Sequence, residues 1–291
     1  MVTILWRARY FLSSLTLILC AIPTHAFVFV HITDTHLSAS GAGSFGTRGQ
    51  EALRDFAAML PVIKPQFVVA TGDIADAGDE ASWRLFLGIL KGAPCPVYPV
   101  AGNHDWPPVE VWRSVFQTHH IVADCEDCTL IAISDSSGCV GERNWPQWGD
   151  YLEEQLKLAH GRGQKQFLIA MHHPLVAMSN PTFDSMPGWA SLSGEQALRV
   201  INLCARYHVK AHLAGHLHPI YDCYNSPGGV LSLAGPALGT SPNAPSGQFR
   251  IFSLEDGVLC WTEAVPGQWP ALAVIAPERN AQYSPVAAQD G

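Results

Sequence analysis

Five short blocks of metal-binding residue types lie in order along this chain, and each follows an apolar, β-rich run. Asp34-Thr35-His36 follows residues 27–32, Gly72-Asp73 follows 67–70, and Gly102-Asn103-His104-Asp105 follows 97–100. His172 follows 167–170, and Gly215-His216-Leu217-His218 follows 209–213. Few folds can use such a pattern. Short runs separated by helix-length segments build an α/β sheet, and groups at the carboxyl ends of its neighbouring strands converge on one crevice. Gly72, Gly102 and Gly215 stand just before ligand-type residues, where the chain turns sharply and the backbone comes close to whatever is bound.

The blocks offer three carboxylates, one amide oxygen and five imidazoles, with no thiolate. Oxygen and nitrogen donors of this kind suit manganese, iron, cobalt or zinc. The set is too large for one tetrahedral ion. It fits two ions sharing a bridge, and paired ions ~3.5–4 Å apart are suited to displacement at phosphorus. A single Asp-x-His triplet arises by chance, whereas five ordered blocks at strand ends are hard to explain as packing alone.

On these residues the chain resembles the calcineurin-like metallophosphoesterase family, from about residue 27 to about residue 265. The stretch Gly72-Asp73-Ile74-Ala75-Asp76-Ala77-Gly78, followed by Trp83 and Phe86, resembles the cyclic-nucleotide phosphodiesterase-like branch. The tyrosine of purple acid phosphatases is missing after Asp73, as is the Asp-Arg-Gly continuation of the serine/threonine phosphatases. The resemblance implies a four-layer α/β/β/α sandwich with two mixed β-sheets and a dinuclear metal site at strand ends. It implies Asp34, His36 and His218 on one divalent ion, Asn103, His172 and His216 on the other, and Asp73 bridging both. His104 would stand beside the cluster as the acid for the leaving group, with Asp105 orienting its ring.

The implied reaction is hydrolysis of a phosphate ester, preferentially a phosphodiester, by a metal-bridging hydroxide. Two cations make such a hydroxide available at neutral pH and stabilise charge building on the phosphoryl oxygens. A nearby imidazolium can protonate or neutralise the leaving alkoxide. A phosphomonoesterase or diphosphate hydrolase would use the same site. A reading of another class is a non-enzymatic binding domain that retains the fold, although such a domain would have no need of the full ligand set.

The N-terminus sets an expected compartment. Arg7 and Arg9, an apolar run over 10–22 and the exit Pro23-Thr24-His25-Ala26 read as a signal peptide over 1–26, so the protein is expected to be secreted or periplasmic. The run is short for a membrane span, which needs ~20 residues, so no stable span is expected. Loss of this segment takes the formal charge from −8 to −10, and no basic run offers a footprint for long nucleic acid. The expected partner is a small phosphate ester. Of eight cysteines, one, Cys20, lies in the leader. Export would favour disulfides among Cys95, Cys125, Cys128, Cys139, Cys223 and Cys260, with Cys204 left as a buried thiol on a helix face. The Cys125-Glu126-Asp127-Cys128 pair lacks the context of a redox motif or a zinc ribbon.

The remainder reads as one domain over 27–265 and an Ala- and Pro-rich tail over 266–291. Apolar periodicity predicts helices over 48–63, 80–90, 109–116, 147–159 and from the cap Ser193 to about residue 208. Four consecutive strands follow the last block, over 220–224, 230–234, 249–254 and 258–264. His31, His119, His120, His208 and His212 read as structural or surface groups. His173 reads the same way first, with substrate contact as the lesser alternative. Loops 175–192 and 236–246 are expected to shape the substrate site, with Trp106, Phe183 and Trp189 as candidate apolar walls and Arg48 as the one nearby cation.

Overall fold

The computed structural model describes residues 27–43, 47–105, 109–125, 128–135, 145–175, 192, 194–225, 229–239 and 247–268. The expected signal peptide over 1–26, most of the expected tail over 266–291, Trp106, Cys139, Phe183 and Trp189 lie outside them. One sheet has the order β11-β10-β1-β2-β3, formed by Val258–Ala264, Phe249–Glu255, Phe27–Ile32, Phe67–Thr71 and Val97–Val100. The other has the order β4-β5-β6-β7-β9-β8, formed by Ile121–Asp124, Thr129–Ala132, Phe167–Ala170, Ala211–Ala214, Val230–Ala234 and Tyr221–Asn225. Both sheets are mixed. Their ligand-bearing strands run parallel, β1 with β2 with β3, and β6 with β7.

Side-chain alternation along β1 explains the layering. Phe27 and Phe29 face the second sheet, while Val28, Val30 and Ile32 face the helices α1 (Arg48–Ile63), α2 (Glu80–Leu90) and α3 (Val109–Phe116). Both faces are covered, so the strand is apolar throughout. Phe29 stacks between Phe67 and Phe252, at centroid distances of 5.1 and 4.7 Å. On the far side, α4 (Trp145–Gly161) and α5 (Gly194–Tyr207) pack Leu152, Leu156, Val200 and Leu203 against Ile131, Phe167 and Ile169. The fold is therefore the expected four-layer sandwich. No helix among the described residues is long and apolar enough to cross a membrane.

One detail departs from the sequence reading. β4 was not anticipated, because its apolar run stops at three residues before Asp124; it pairs with β5. The four expected strands after the last block are present and divide between the sheets. β8 and β9 extend the second sheet, and β10 and β11 extend the first. The expectation of disulfides is not met at Cys95 and Cys125, which are thiols, and Cys204 is the buried thiol expected. Burial pushes the Cys204 thiol up to about 12.

A buried charge ties the two sheets together. Arg250 on β10 is fully buried and donates to Asp222 on β8 through Nη1 and Nη2, at 2.7 and 2.9 Å. Glu263 on β11 lies 3.5 Å from its Nε. Burial and the Arg250 charge hold the neighbouring His31 ring down at about 3, so it is neutral and serves Thr71 through Nε2 at 2.7 Å. Asp222→Ala leaves the guanidinium short of its bidentate acceptor, and charged hydrogen bonds contribute about 1.5–3 kcal/mol each way. Urea denaturation of this variant is expected to show a loss of about that size, with the slope of the transition unchanged.

Candidate metal centre

The five sequence blocks meet where the carboxyl ends of β1, β2, β3, β6 and β7 face one another. Asp34, His36, Asp73 and His218 each offer one ligand atom, and these atoms all lie within 4.8 Å of one another. Asp73, His172 and His216 form a second such group. Asp73 belongs to both. Its Oδ2 is 3.7 Å from His36 Nε2 and 3.4 Å from His172 Nε2, so it stands between the two halves. Asp34 Oδ1 lies 3.8 Å from His36 Nε2 and 3.5 Å from His218 Nε2. Asn103 Oδ1 meets His172 Nε2 at 2.8 Å, which brings it to the second group.

The backbone is bent to achieve this. Asp34, His36, Asp73, His216 and His218 all have positive φ, between 43° and 70°. Such conformations cost non-glycine residues about 1–3 kcal/mol each and persist only where the surroundings enforce them. The enforcement is visible: Asp34 N–H donates to Gly72 O, His36 N–H to Asp73 O and Leu37 N–H to Ile74 O, at 2.9–3.0 Å. Gly72 is required twice over. Its φ is 94°, and a Cβ there would stand 2.5 Å from His172 Nδ1. At Gly215 a Cβ would lie 2.6 Å from Asp34 Oδ2, the oxygen that also accepts from Thr33 Oγ1 and His216 N–H.

Neighbours outside the groups fix the rings. His172 Nδ1–H donates to Thr71 O at 2.8 Å, which directs Nε2 at the site. His36 Nδ1 faces Asp76 Oδ1 at 3.5 Å and directs its Nε2 likewise. His104 donates its backbone N–H to Asp73 Oδ1 and its Nδ1–H to Asp76 O, both at 2.8 Å. Against burial, the charges of Asp73, Asp34 and Asp135 push His172 up to about 10, and those of Asp76, Asp73 and Asp34 raise His36. In return His172, His36 and His104 hold Asp73 below the usual carboxylate range. The pocket therefore favours positive charge. Convergent carboxylate oxygens and imidazole nitrogens, some nitrogens facing each other at 3.1 Å as in His36 and His218, fit divalent cations.

Asp105 is the residue that the resemblance implied behind the His104 ring. Its carboxylate accepts from the backbone N–H groups of Ile74, Ala75 and Gly102 and from Trp83 Nε1, at 2.8–3.1 Å. Burial and the charge of Asp73 push it up to about 6. It pins three segments beneath the site, and Asp76 takes the place beside His104. Asp76 and Asp135 went unassigned in the sequence; the Asp-x-x-Asp spacing from Asp73 was a signal for the first, and nothing near Asp135 marked the second. Arg48 is exposed at the start of α1.

The fold and this junction define a metallophosphoesterase. The chain matches the calcineurin-like phosphoesterase family over residues 27–219 and belongs to it. It is 35% identical over 214 residues to a probable cyclic nucleotide phosphodiesterase of Rhodopseudomonas palustris, covering 65% of this chain and 71% of that one. It is 26% identical over 223 residues to a probable glycerophosphodiester phosphodiesterase of Arcobacter nitrofigilis, covering 72% and 78%. A dimetal phosphatase from Danio rerio shares the fold, with a TM-score of 0.65 at 16% identity, covering 82% and 96%. The protein is a phosphoric ester hydrolase with a cluster suited to divalent metal.

Because Asp73 faces both groups, Asp73→Asn is expected to lose both ions and to reduce turnover below detection. His104→Ala, outside either group with Asp73, is expected to keep both ions while kcat on a poor leaving group falls roughly 10²–10⁴-fold. Metal analysis of the two purified variants beside the wild type checks the contrast.

Proposed function

We propose that the protein is a dinuclear phosphodiesterase acting on small diesters, with 3′,5′-cyclic nucleotides as the leading substrate class. The position of Asp73 between the two ligand groups carries the dinuclear reading. Asp34, His36 and His218 would hold one ion, and Asn103, His172 and His216 the other. When bound, the ions supply the charge that activates water and polarises the phosphoryl oxygens. Asp73 keeps the two sets in register, with one carboxylate oxygen also fixed by the His104 N–H. His104, tethered at Nδ1 by Asp76 O, presents Nε2 for the departing oxygen.

The charge of the walls supports diesters. A diester carries one negative charge, whereas a monoester carries close to two and is usually held by added Arg or Lys donors. The segments 34–36, 72–76, 102–105, 172–175 and 215–218 contain no Arg or Lys. The phosphodiesterase names of the relatives agree with this reading. With manganese at neutral pH, kcat/KM is expected to be higher for bis-nitrophenyl phosphate than for nitrophenyl phosphate. A preference for the monoester would sink the diester assignment.

The leader over 1–26 supports export to the periplasm or the medium. Mass spectrometry of exported protein is expected to give an N-terminus near Phe27, and an intact membrane-bound precursor would favour an uncleaved anchor instead.

A further inference from the structure

We infer that Thr33 is a positioning residue for one of the two ions: its hydroxyl occupies Asp34 Oδ2 and leaves Oδ1 as the oxygen offered to metal. This rests on the dinuclear reading and names a residue on which one of the two ion sites depends. Thr33 follows β1 directly and is buried. Its Oγ1 donates to Asp34 Oδ2 at 2.7 Å, with Thr71 O as a longer second acceptor at 3.2 Å. Oδ2 also accepts the His216 N–H at 3.0 Å. Oδ1 faces the ligand rings, 3.5 Å from His218 Nε2 and 3.8 Å from His36 Nε2, and shares the His216 N–H at 3.2 Å.

The two oxygens of a carboxylate are alike, and it can bind a cation through one or both. The terminal torsion of an aspartate is soft, so the donors around it decide which oxygen faces a site. At Asp34 that decision falls to Thr33 and His216. The place of the hydroxyl is built into the fold. A Cβ on Gly215, just beyond β7, would fall on Thr33 Oγ1, and one on Gly235, just beyond β9, would stand 3.5 Å from Thr33 Cγ2. Leu238 N–H donates to Thr33 O at 2.8 Å. Threonine is β-branched and stiff at χ1, so seating Cγ2 beside Gly235 also sets the aim of Oγ1.

The dependence is one-sided. Thr71 O, the longer acceptor, also takes the His172 Nδ1–H at 2.8 Å, and that bond needs nothing from Thr33. Loss of the hydroxyl therefore falls on the ion assigned to Asp34, His36 and His218 and spares the ion assigned to Asn103, His172 and His216. A group that merely packs the two sheets together would affect both alike.

The test titrates the metal-free protein with manganese, followed by calorimetry and electron paramagnetic resonance. Wild type is expected to take up two ions and to show the signal of a spin-coupled pair. Thr33→Val keeps the shape of the side chain and removes its donor. It is expected to bind one ion with wild-type affinity and the other roughly 10–100-fold more weakly, the usual effect of losing a partner behind a ligand. At manganese concentrations that fill both wild-type sites, this variant is expected to show isolated ions. Thr33→Ser, which keeps the hydroxyl, is expected to restore both affinities. Thr33→Ala is expected to repeat the split without placing a methyl against Gly215. Two ions at wild-type affinity in the valine or alanine variant, equal weakening of both ions, or a serine variant no better than valine would overturn the inference. So would a serine variant that folds where valine and alanine both fail to, since the hydroxyl would then be structural. A wild type that takes up a single ion would instead overturn the dinuclear reading on which the inference rests.

Discussion

Two buried carboxylates at adjacent strand ends, Asp34 and Asp73, set the terms for the rest of this structure. Burial of like charges this close is unfavourable unless donors and cations surround them. The fold supplies both. Thr33 Oγ1 and the His216 N–H serve Asp34, and the His104 N–H serves Asp73. Four imidazoles complete the ring of nitrogen donors around them. The left-handed turns at five of these residues are held by that same set of contacts, and the site and the chain crossings that hold it are one construction.

The two sheets meet through this junction as well as through their apolar faces. Leu238 N–H and Gly239 N–H, just beyond β9, donate to Thr33 O and Asp34 O beyond β1, at 2.8 and 3.1 Å. His172 Nδ1–H, beyond β6, donates to Thr71 O on β2 at 2.8 Å. At the start of β10, beside His31 of β1, Arg250 reaches Asp222 across the same divide. The aromatic stack around Phe29 fills the space between. Hydrophobic area brings the sheets together without direction, and the polar crossings fix how they sit.

Carboxylates behind the site sort the histidines by task. Asp76 faces His36 and carries the carbonyl that holds His104; Asp135 holds His172 by its backbone and His173 by its ring; Asp105 ties Ile74, Ala75, Trp83 and Gly102 together. His31 and His212, equally buried, are held neutral by burial at about 3 and about 4, in His212 against the charge of Asp135. Similar side chains acquire different chemistry from what lies behind them.

The sequence by itself determined the ordered blocks of ligand-type residues and the apolar runs that deliver them, because both are local, while the layer architecture was implied by the family resemblance those blocks carry. Continuous apolar runs such as 27–32 announce strands buried on both faces, and Gly72 and Gly215 announce the tight approaches beside Asp73 and His216. β4 escaped notice because its apolar run stops at three residues before Asp124. Tertiary structure alone decided that β8 and β9 join one sheet while β10 and β11 join the other, since hairpin signals do not say which edge a hairpin will meet. It also decided that Asp105 turns inward to three backbone donors and Trp83, while Asp76 takes the histidines. A carboxylate's partners are set by where distant segments cross, and Asp135 lies 37 residues from the His172 N–H that it accepts.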